Sequence, residues 1–326
     1  MTKTLAVPRV ESAFIPSARR FISRNQNVLI IWLVLLAIVV ISALIEPTFT
    51  NPRNFPNLMR QAAALMLVSI GQTFVLIIAG IDLSVGSTIS LVVVVMAGIM
   101  QPTPESMLAT VLLGLVVGTA VGVINGWLVT RLRLAPFMVT LATLSIVQGL
   151  ALQLRATPPA TIPREFSPYL IGDIGDIPIP FLIIIVSTTI AWVVLRHTPF
   201  GRHLYAIGSN ETATRLSGMS TDRIKLLAFT ICGFMAGAAA VFVAARSRAG
   251  DPLIGGNFAF DSITAVVLGG ASLMGGVGSV WGTLAGVLII TILSNVLNLL
   301  GVPSNYQYIL KGGLLVLAVM LYRRRR

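Results

Sequence analysis

Charge is what this sequence lacks most. Only 10% of its 326 residues are Asp, Glu, Lys or Arg, against about 25% in soluble domains. A chain this poor in charge cannot cover a water-facing surface, which excludes a soluble domain as its main body. Cysteine is nearly absent as well. Cys232 stands alone in an apolar segment, so no internal disulfide can form. The two histidines, His197 and His203, share one basic loop with no Cys or carboxylate cluster at ligand spacing, so no metal site is expected. Lysine occurs three times, at Lys3, Lys225 and Lys311, and never after a glycine. The Gly-Lys-Ser/Thr of a phosphate-binding loop is therefore missing. No Ser-His-Asp arrangement lies inside the apolar segments, which argues against a membrane enzyme.

What is present is apolar sequence. Hydrophobic residues make up 56% of the chain, and the mean hydropathy is +0.91. Stretches long enough to cross a hydrocarbon core of ~30 Å recur along the whole length. No compositional break marks off a second domain. The formal charge is +12. Its basic residues are scattered between apolar segments instead of gathered on one face, so they read as orientation signals and not as a nucleic-acid surface.

The chain divides into a polar, basic tail over 1–27, a membrane domain over 28–322 and a basic tail over 323–326. The apolar run 28–45 is long for a signal-peptide core and no clear small-x-small cleavage site follows it, so a retained first span is expected. Apolar segments lie near 28–45, 61–79, 87–100, 107–129, 134–153, 180–195, 226–245, 258–270, 280–299 and 307–322. The third and eighth are too short to cross as straight helices. Alternating these segments puts sixteen Lys and Arg on the side of both termini and six on the other, with Lys311 inside a span. That bias predicts cytoplasmic termini. The expected fold is an all-α integral membrane protein of about ten transmembrane helices. Two loops are long. The external one, 154–179, is rich in proline, which forbids a regular helix. The internal one, 196–225, is basic.

"GIDLSVGSTISL" (80–91) has a weak counterpart in "GGASLMGGVGSVWGTLAGVLII" (269–290), each followed by a span containing asparagine. Two pseudo-repeats with broken or re-entrant helices are the best sequence pointer to a transport site. Asp82 sits at the first break. A carboxylate there must face protein, water or the interface. Asp82 or Ser84 can cap the helix that starts near Val85, with Gly80 and Gly86 letting the chain turn. A capped half-helix can also present polar groups to a solute. Asp261, early in the eighth segment, reads as a helix cap. Gln72, Thr73, Asn125, Gln148, Asn295 and Asn298 are the further uncharged polar groups placed to meet a sugar hydroxyl, and each has a packing role as its alternative.

"GIDLSVGS", "NGWLVTRLRLAPFMVTLATLSIVQGL", "GRHLYAIGSNETATRLSGM" and "GGASLMGGVGSVWGTLAGVLI" occur in this order. Together they resemble the permease subunit of ribose-type ABC sugar importers, a family serving ribose, xylose, arabinose, galactose, autoinducer-2 and polyols. The resemblance runs from about residue 28 to the end. It implies a multi-pass protein of the bacterial inner membrane, surrounded by lipid. It implies a second permease subunit (a homodimer or a sister chain), a cytoplasmic ATPase subunit and a periplasmic sugar-binding protein. It implies no nucleic-acid partner and no cofactor in this chain, because ATP and Mg belong to the partner ATPase. It also implies that a short helix in the internal loop couples the ATPase to the membrane domain. "SNETATRLSGM" suits that role. Ser209 or Asn210 caps the start, Glu211 stands in the first turn, Gly218 ends the helix, and Arg215, Leu216 and Ser217 lie on its last turn. The expected function is alternating-access import of a monosaccharide or related polyol. The competing expectation is an ion-coupled secondary sugar transporter, which would also show a repeat and broken helices.

Overall fold

A computed structural model of the chain describes residues 16–155 and 160–323. The expected N-terminal tail lies outside the described residues up to residue 15, and so does the C-terminal tail from 324 onward. Helix dominates. In chain order the elements are α1 (Pro16–Ile45), α2 (Asn54–Ile77), α3 (Val85–Ile99), α4 (Pro104–Arg131), α5 (Pro136–Gln153), a short α6 (Pro168–Ile171), strands β1 (Asp173–Ile174) and β2 (Ile177–Pro178), α7 (Ile179–His197), α8 (Pro199–Ser209), α9 (Glu211–Leu216), α10 (Thr221–Ser247), α11 (Phe258–Leu268), α12 (Val280–Leu299) and α13 (Ser304–Arg323). Among the described residues, seven helices are long and apolar enough to cross a membrane, and α3 and α11 are shorter apolar helices. These nine helices meet nine of the ten expected segments, and the tenth, 307–322, falls in α13, which is not among the seven. The expected first span, 28–45, coincides with the apolar part of α1, and the helix runs on to Pro16 on its N-terminal side, because a propagating helix adds a hydrogen bond per residue and needs no apolar side chain to do so.

Proline and glycine set the element ends. Pro104, Pro136, Pro168 and Pro199 stand at the first helical position, where the missing N–H has no partner to lose. In the 154–179 loop, Pro168 starts the four residues of α6, and the hairpin β1–β2 pairs Asp173 with Pro178 and Ile174 with Ile177. Arg60 near the start of α2 holds this loop through Ile171 O at 2.9 Å and the Asp173 carboxylate at 3.6 Å.

Helix α2 is the centre of the bundle, and α7, α10, α11 and α12 pack around it. Its apolar window is 89% buried, whereas that of α1 is only 17% buried and leaves its side chains for lipid. In hydrocarbon the apolar surface gains little by meeting apolar surface, so close backbone approach must hold helices together. Helix α4 meets this need with Gly114, Gly118, Gly122 and Gly126, one every fourth residue. A Cβ on Gly118 would fall 2.6 Å from Gly233 O and 2.7 Å from Gly237 Cα of α10. This four-residue glycine period was not singled out in the sequence, and that α10 is its partner emerges only from the structure.

Candidate functional site

The chain breaks twice, and the two breaks meet. Helix α2 stops at Ile77, and the next turn closes with Gly80 N donating to Val75 O at 2.9 Å and Ala79 in the left-handed region at φ 59°. This is a helix ending usually given to glycine. The two glycines expected to turn the chain do something else. A Cβ on Gly80 would lie 2.9 Å from Val75 Cγ1, and one on Gly86 would lie 2.6 Å from Gly255 O, so both are small to allow close approach. The second break, 269–279, turns on Gly270, Gly275 and Gly276, at φ 96°, 82° and 74°. Gly276 N donates to Ile77 O at 2.8 Å, which ties the second break to the end of α2.

Helix α8 lies against both. The backbone of Ile77 and that of Gly276 occupy the space a Cβ on Gly208 would need. Tyr205 Oη donates to Gly278 O at 2.8 Å. Sequence reading left 196–225 as a loop containing one helix and missed α8. The signal was there in Thr198–Pro199: the Thr198 hydroxyl accepts from Gly201 N, and Pro199 takes the first helical position.

Asp82 is buried and works within its own turn. Ser84 N and Ser84 Oγ both donate to Asp82 Oδ1, at 2.9 and 2.6 Å. It therefore stabilises the residue before α3 and not an amide inside the helix. Asn125 Nδ2 of α4 donates to Ser84 Oγ at 2.8 Å, and Thr143 Oγ1 of α5 donates to Asn125 Oδ1 at 2.7 Å. On the opposite side, Cys232 of α10 lies beside Asp82, and its Sγ reaches Gln72 Oε1 of α2 at 3.8 Å. A buried line of polar groups thus runs from α2 through α10 and the first break to α4 and α5. Buried polar groups in hydrocarbon need such partners. Cys232 and Thr143 were not anticipated, because one hydroxyl or thiol in an apolar helix carries no sequence signal.

The other candidates fall into separate contacts. Thr73 Oγ1 meets Thr283 Oγ1 of α12 at 2.8 Å. Asn295 exchanges amide hydrogen bonds with Asn54 at 2.9 and 3.1 Å, Asn298 accepts from Gln307 at 2.8 Å, and Gln148 donates to Pro252 O at 2.8 Å. None of these contacts includes Asp82, Ser84, Asn125 or Thr143. Gln72 Nε2 and Ser69 Oγ on α2, and Thr291 Oγ1 and Ser294 Oγ on α12, are buried with no hydrogen-bond partner among the described residues.

Asp261 does not cap α11. It lies at the fourth position of that helix, too far inside to reach the free amides, and its Oδ2 accepts from Lys311 Nζ of α13 at 2.7 Å. Two ionisable groups inside apolar helices neutralise each other.

Helix α9 forms where the capping pattern predicted it. Asn210, and not Ser209, is the cap: its Oδ1 accepts from Ala213 N at 2.9 Å, while Ser209 Oγ donates to Tyr205 O at 2.8 Å and so belongs to α8. Ser217 closes the helix and Gly218, at φ 86°, follows in the left-handed region. Glu211 takes Lys225 on one oxygen and Arg215 on the other at 3.2 Å, and Arg215 also pairs with Asp222 at 2.9 Å. Partial burial raises the Glu211 carboxyl, but Lys225 and then Arg215 outweigh it and hold it below the ordinary value. These charges fasten α9 to the first turn of α10. Leu216 is left 84% exposed at the end of the helix.

Comparison with known proteins fits this architecture. Residues 54–319 match the family described as "Branched-chain amino acid transport system / permease component". The chain is 40% identical over 294 residues to the ribose import permease protein RbsC of Bacillus subtilis (strain 168), covering 89% of this chain and 91% of that protein. It is 36% identical over 319 residues to the ribose import permease protein RbsC of Escherichia coli (strain K12), covering 95% and 98%. It is 34% identical over 325 residues to the L-arabinose ABC transporter permease protein AraH of Azospirillum brasilense, covering 98% and 94%. No solved structure matches.

Proposed function

Because this chain belongs to the branched-chain amino acid transport system permease-component family, and to its ribose-type sugar branch, we propose that it is the membrane-spanning subunit of an ATP-driven importer for a monosaccharide or related polyol. The observation that carries the mechanism is the position of α8: one residue from α9, it is wedged against both helix breaks. A push on α9 has a short, packed route to the two places where the bundle is interrupted. In this reading ten spans cross the inner membrane, the two halves are pseudo-repeats, and both termini and α8–α9 face the cytoplasm. A separate ATPase subunit, carrying ATP and Mg, docks on the exposed Leu216 end of α9. A second permease subunit completes the path, and a periplasmic binding protein delivers the sugar.

Alternating access then follows from unequal binding. ATP-bound closure of the ATPase favours one arrangement of the breaks, and the loaded binding protein favours the same one. The buried Asp82–Ser84–Asn125–Thr143 line pins the first break, so it moves as a unit. An ion-coupled carrier would need a free ionisable group in the membrane; Asp261 and Lys311 are occupied with each other, and Asp82 is engaged by the Ser84 amide and hydroxyl. The test is uptake of labelled ribose, arabinose and xylose into proteoliposomes holding this chain with its ATPase and binding protein. ATP-dependent uptake of at least one sugar is expected. Uptake driven by a sodium or proton gradient without ATP would overturn the reading.

A further inference from the structure

At the end of the bundle where α8 lies, a cavity of about 1090 Å³ opens between α1, α7, α8 and the second break. Arg196 and Arg202 line it with Tyr205, and three of the chain's four tryptophans, Trp32, Trp192 and Trp281, complete its walls. Both arginines are exposed. Among the described residues neither guanidinium forms an ion pair, as is true of most arginines here; Arg60 and Arg215 are the ones that do, and what sets Arg196 and Arg202 apart is that they share one cavity. Val28 and Leu29, the first residues of the apolar run of α1, line the same cavity. It therefore spans the level where charge gives way to hydrocarbon.

Two uncompensated guanidinium groups above a tryptophan wall call for a ligand with an anionic head and an apolar body. Guanidinium donors match phosphate oxygens in pairs. Tryptophan settles at the headgroup level of a bilayer. We propose that this cavity is a binding site for an anionic phospholipid, its phosphate held by Arg196 and Arg202 and its acyl chains descending along Val28, Leu29 and Trp32. A soluble anion would leave the tryptophan and aliphatic wall unused. The site rests on the proposed orientation only in naming the cytoplasmic leaflet as the lipid's source. Because Tyr205 also bonds Gly278 of the second break, the lipid would clamp α8 against the moving part of the bundle.

The test uses the full-length chain, purified in detergent and stripped of lipid, titrated by native mass spectrometry with phosphatidylglycerol and with phosphatidylcholine. Preferential retention of phosphatidylglycerol is expected. Arg196→Gln with Arg202→Gln should weaken that retention about thirtyfold, as expected for the loss of two basic residues at a headgroup. Arg196→Lys with Arg202→Lys should keep most of it, which separates lost charge from lost folding. Arg131→Gln with Arg133→Gln, on a basic turn outside the cavity, should leave it unchanged. Equal binding of phosphatidylcholine, displacement by soluble glycerol phosphate, or undiminished preference in the Gln variant would overturn the site. So would a Gln variant that keeps the lipid but loses its ATPase partner, since the surface would then belong to a protein contact.

Discussion

An aspartate within a membrane bundle has to be solvated by the protein, and at Asp82 one oxygen accepts two hydrogen bonds from Ser84. An amide oxygen can accept both, and a hydrocarbon side chain can accept neither. Asp82→Asn should therefore express normally and stay within about 1 kcal/mol of the parent in thermal unfolding. Asp82→Leu leaves the Ser84 amide and hydroxyl buried without an acceptor, at about 1–3 kcal/mol each, and should sharply lower yield. An Asn variant that folds but no longer transports would show that the charge itself is used. The pair Lys311–Asp261 gives the converse case. Lys311→Ala strands a carboxylate between α11 and α13, which should cost about 3–5 kcal/mol. Asp261→Asn with Lys311→Gln removes both charges and should recover most of that loss in the same melting assay. If the single variant melts like the parent, the pair has no structural role.

At the scale of elements, α9 is too short to be stable alone. Six residues cannot sustain a helix in water, so the Asn210 cap and the Glu211–Lys225–Arg215–Asp222 charges must hold it in place. Glu211 sets the pH window. Its carboxyl is held below the ordinary value by Lys225 and Arg215 against the opposing effect of burial. The tether is therefore fully present above the ordinary carboxylate range and is lost as pH falls through the depressed value. The protection of the α9 amides, measured as exchange relative to the intrinsic rate at each pH, should be flat from neutral pH down to mildly acidic pH and fall only in stronger acid; a loss of protection near neutrality would exclude Glu211 as the tether. Arg215→Glu puts like charges beside Glu211 and Asp222, and Leu216→Asp places a charge on the proposed docking end. Both should leave the chain in the membrane while abolishing stimulation of ATP hydrolysis by the loaded binding protein. Normal stimulated uptake in both variants would sink the coupling role.

For the whole molecule, orientation is the property to measure. Cys232 is buried, so it offers a silent background for impermeant thiol labelling. Ser217→Cys on the exposed end of α9 should be protected in whole cells and react after permeabilisation. Asp176→Cys, exposed at the β1–β2 turn, should react in whole cells. Labelling of Ser217→Cys from outside would reverse the proposed topology and remove the basis for an ATPase on α9.

The sequence by itself determined the class, the ten apolar helices and α9, and the two places where the chain breaks, though not α6 or α8. Hydropathy, proline and glycine act over a few residues, so they could be read without knowing any neighbour: the Asn210–Gly218 helix, the two breaks and all ten apolar segments come from such local signals. The four-residue glycine stripe on α4 is written in the sequence but went unread as a packing face. Only the tertiary structure decided the partners. Which helix fills that stripe, that Asp261 meets Lys311, that Asn125 meets Ser84 while Asn295 meets Asn54, and that α8 sits under both breaks are contacts between residues far apart in the chain. In hydrocarbon every polar group takes whichever partner the packing brings within reach, and no periodicity along one helix records which partner that will be.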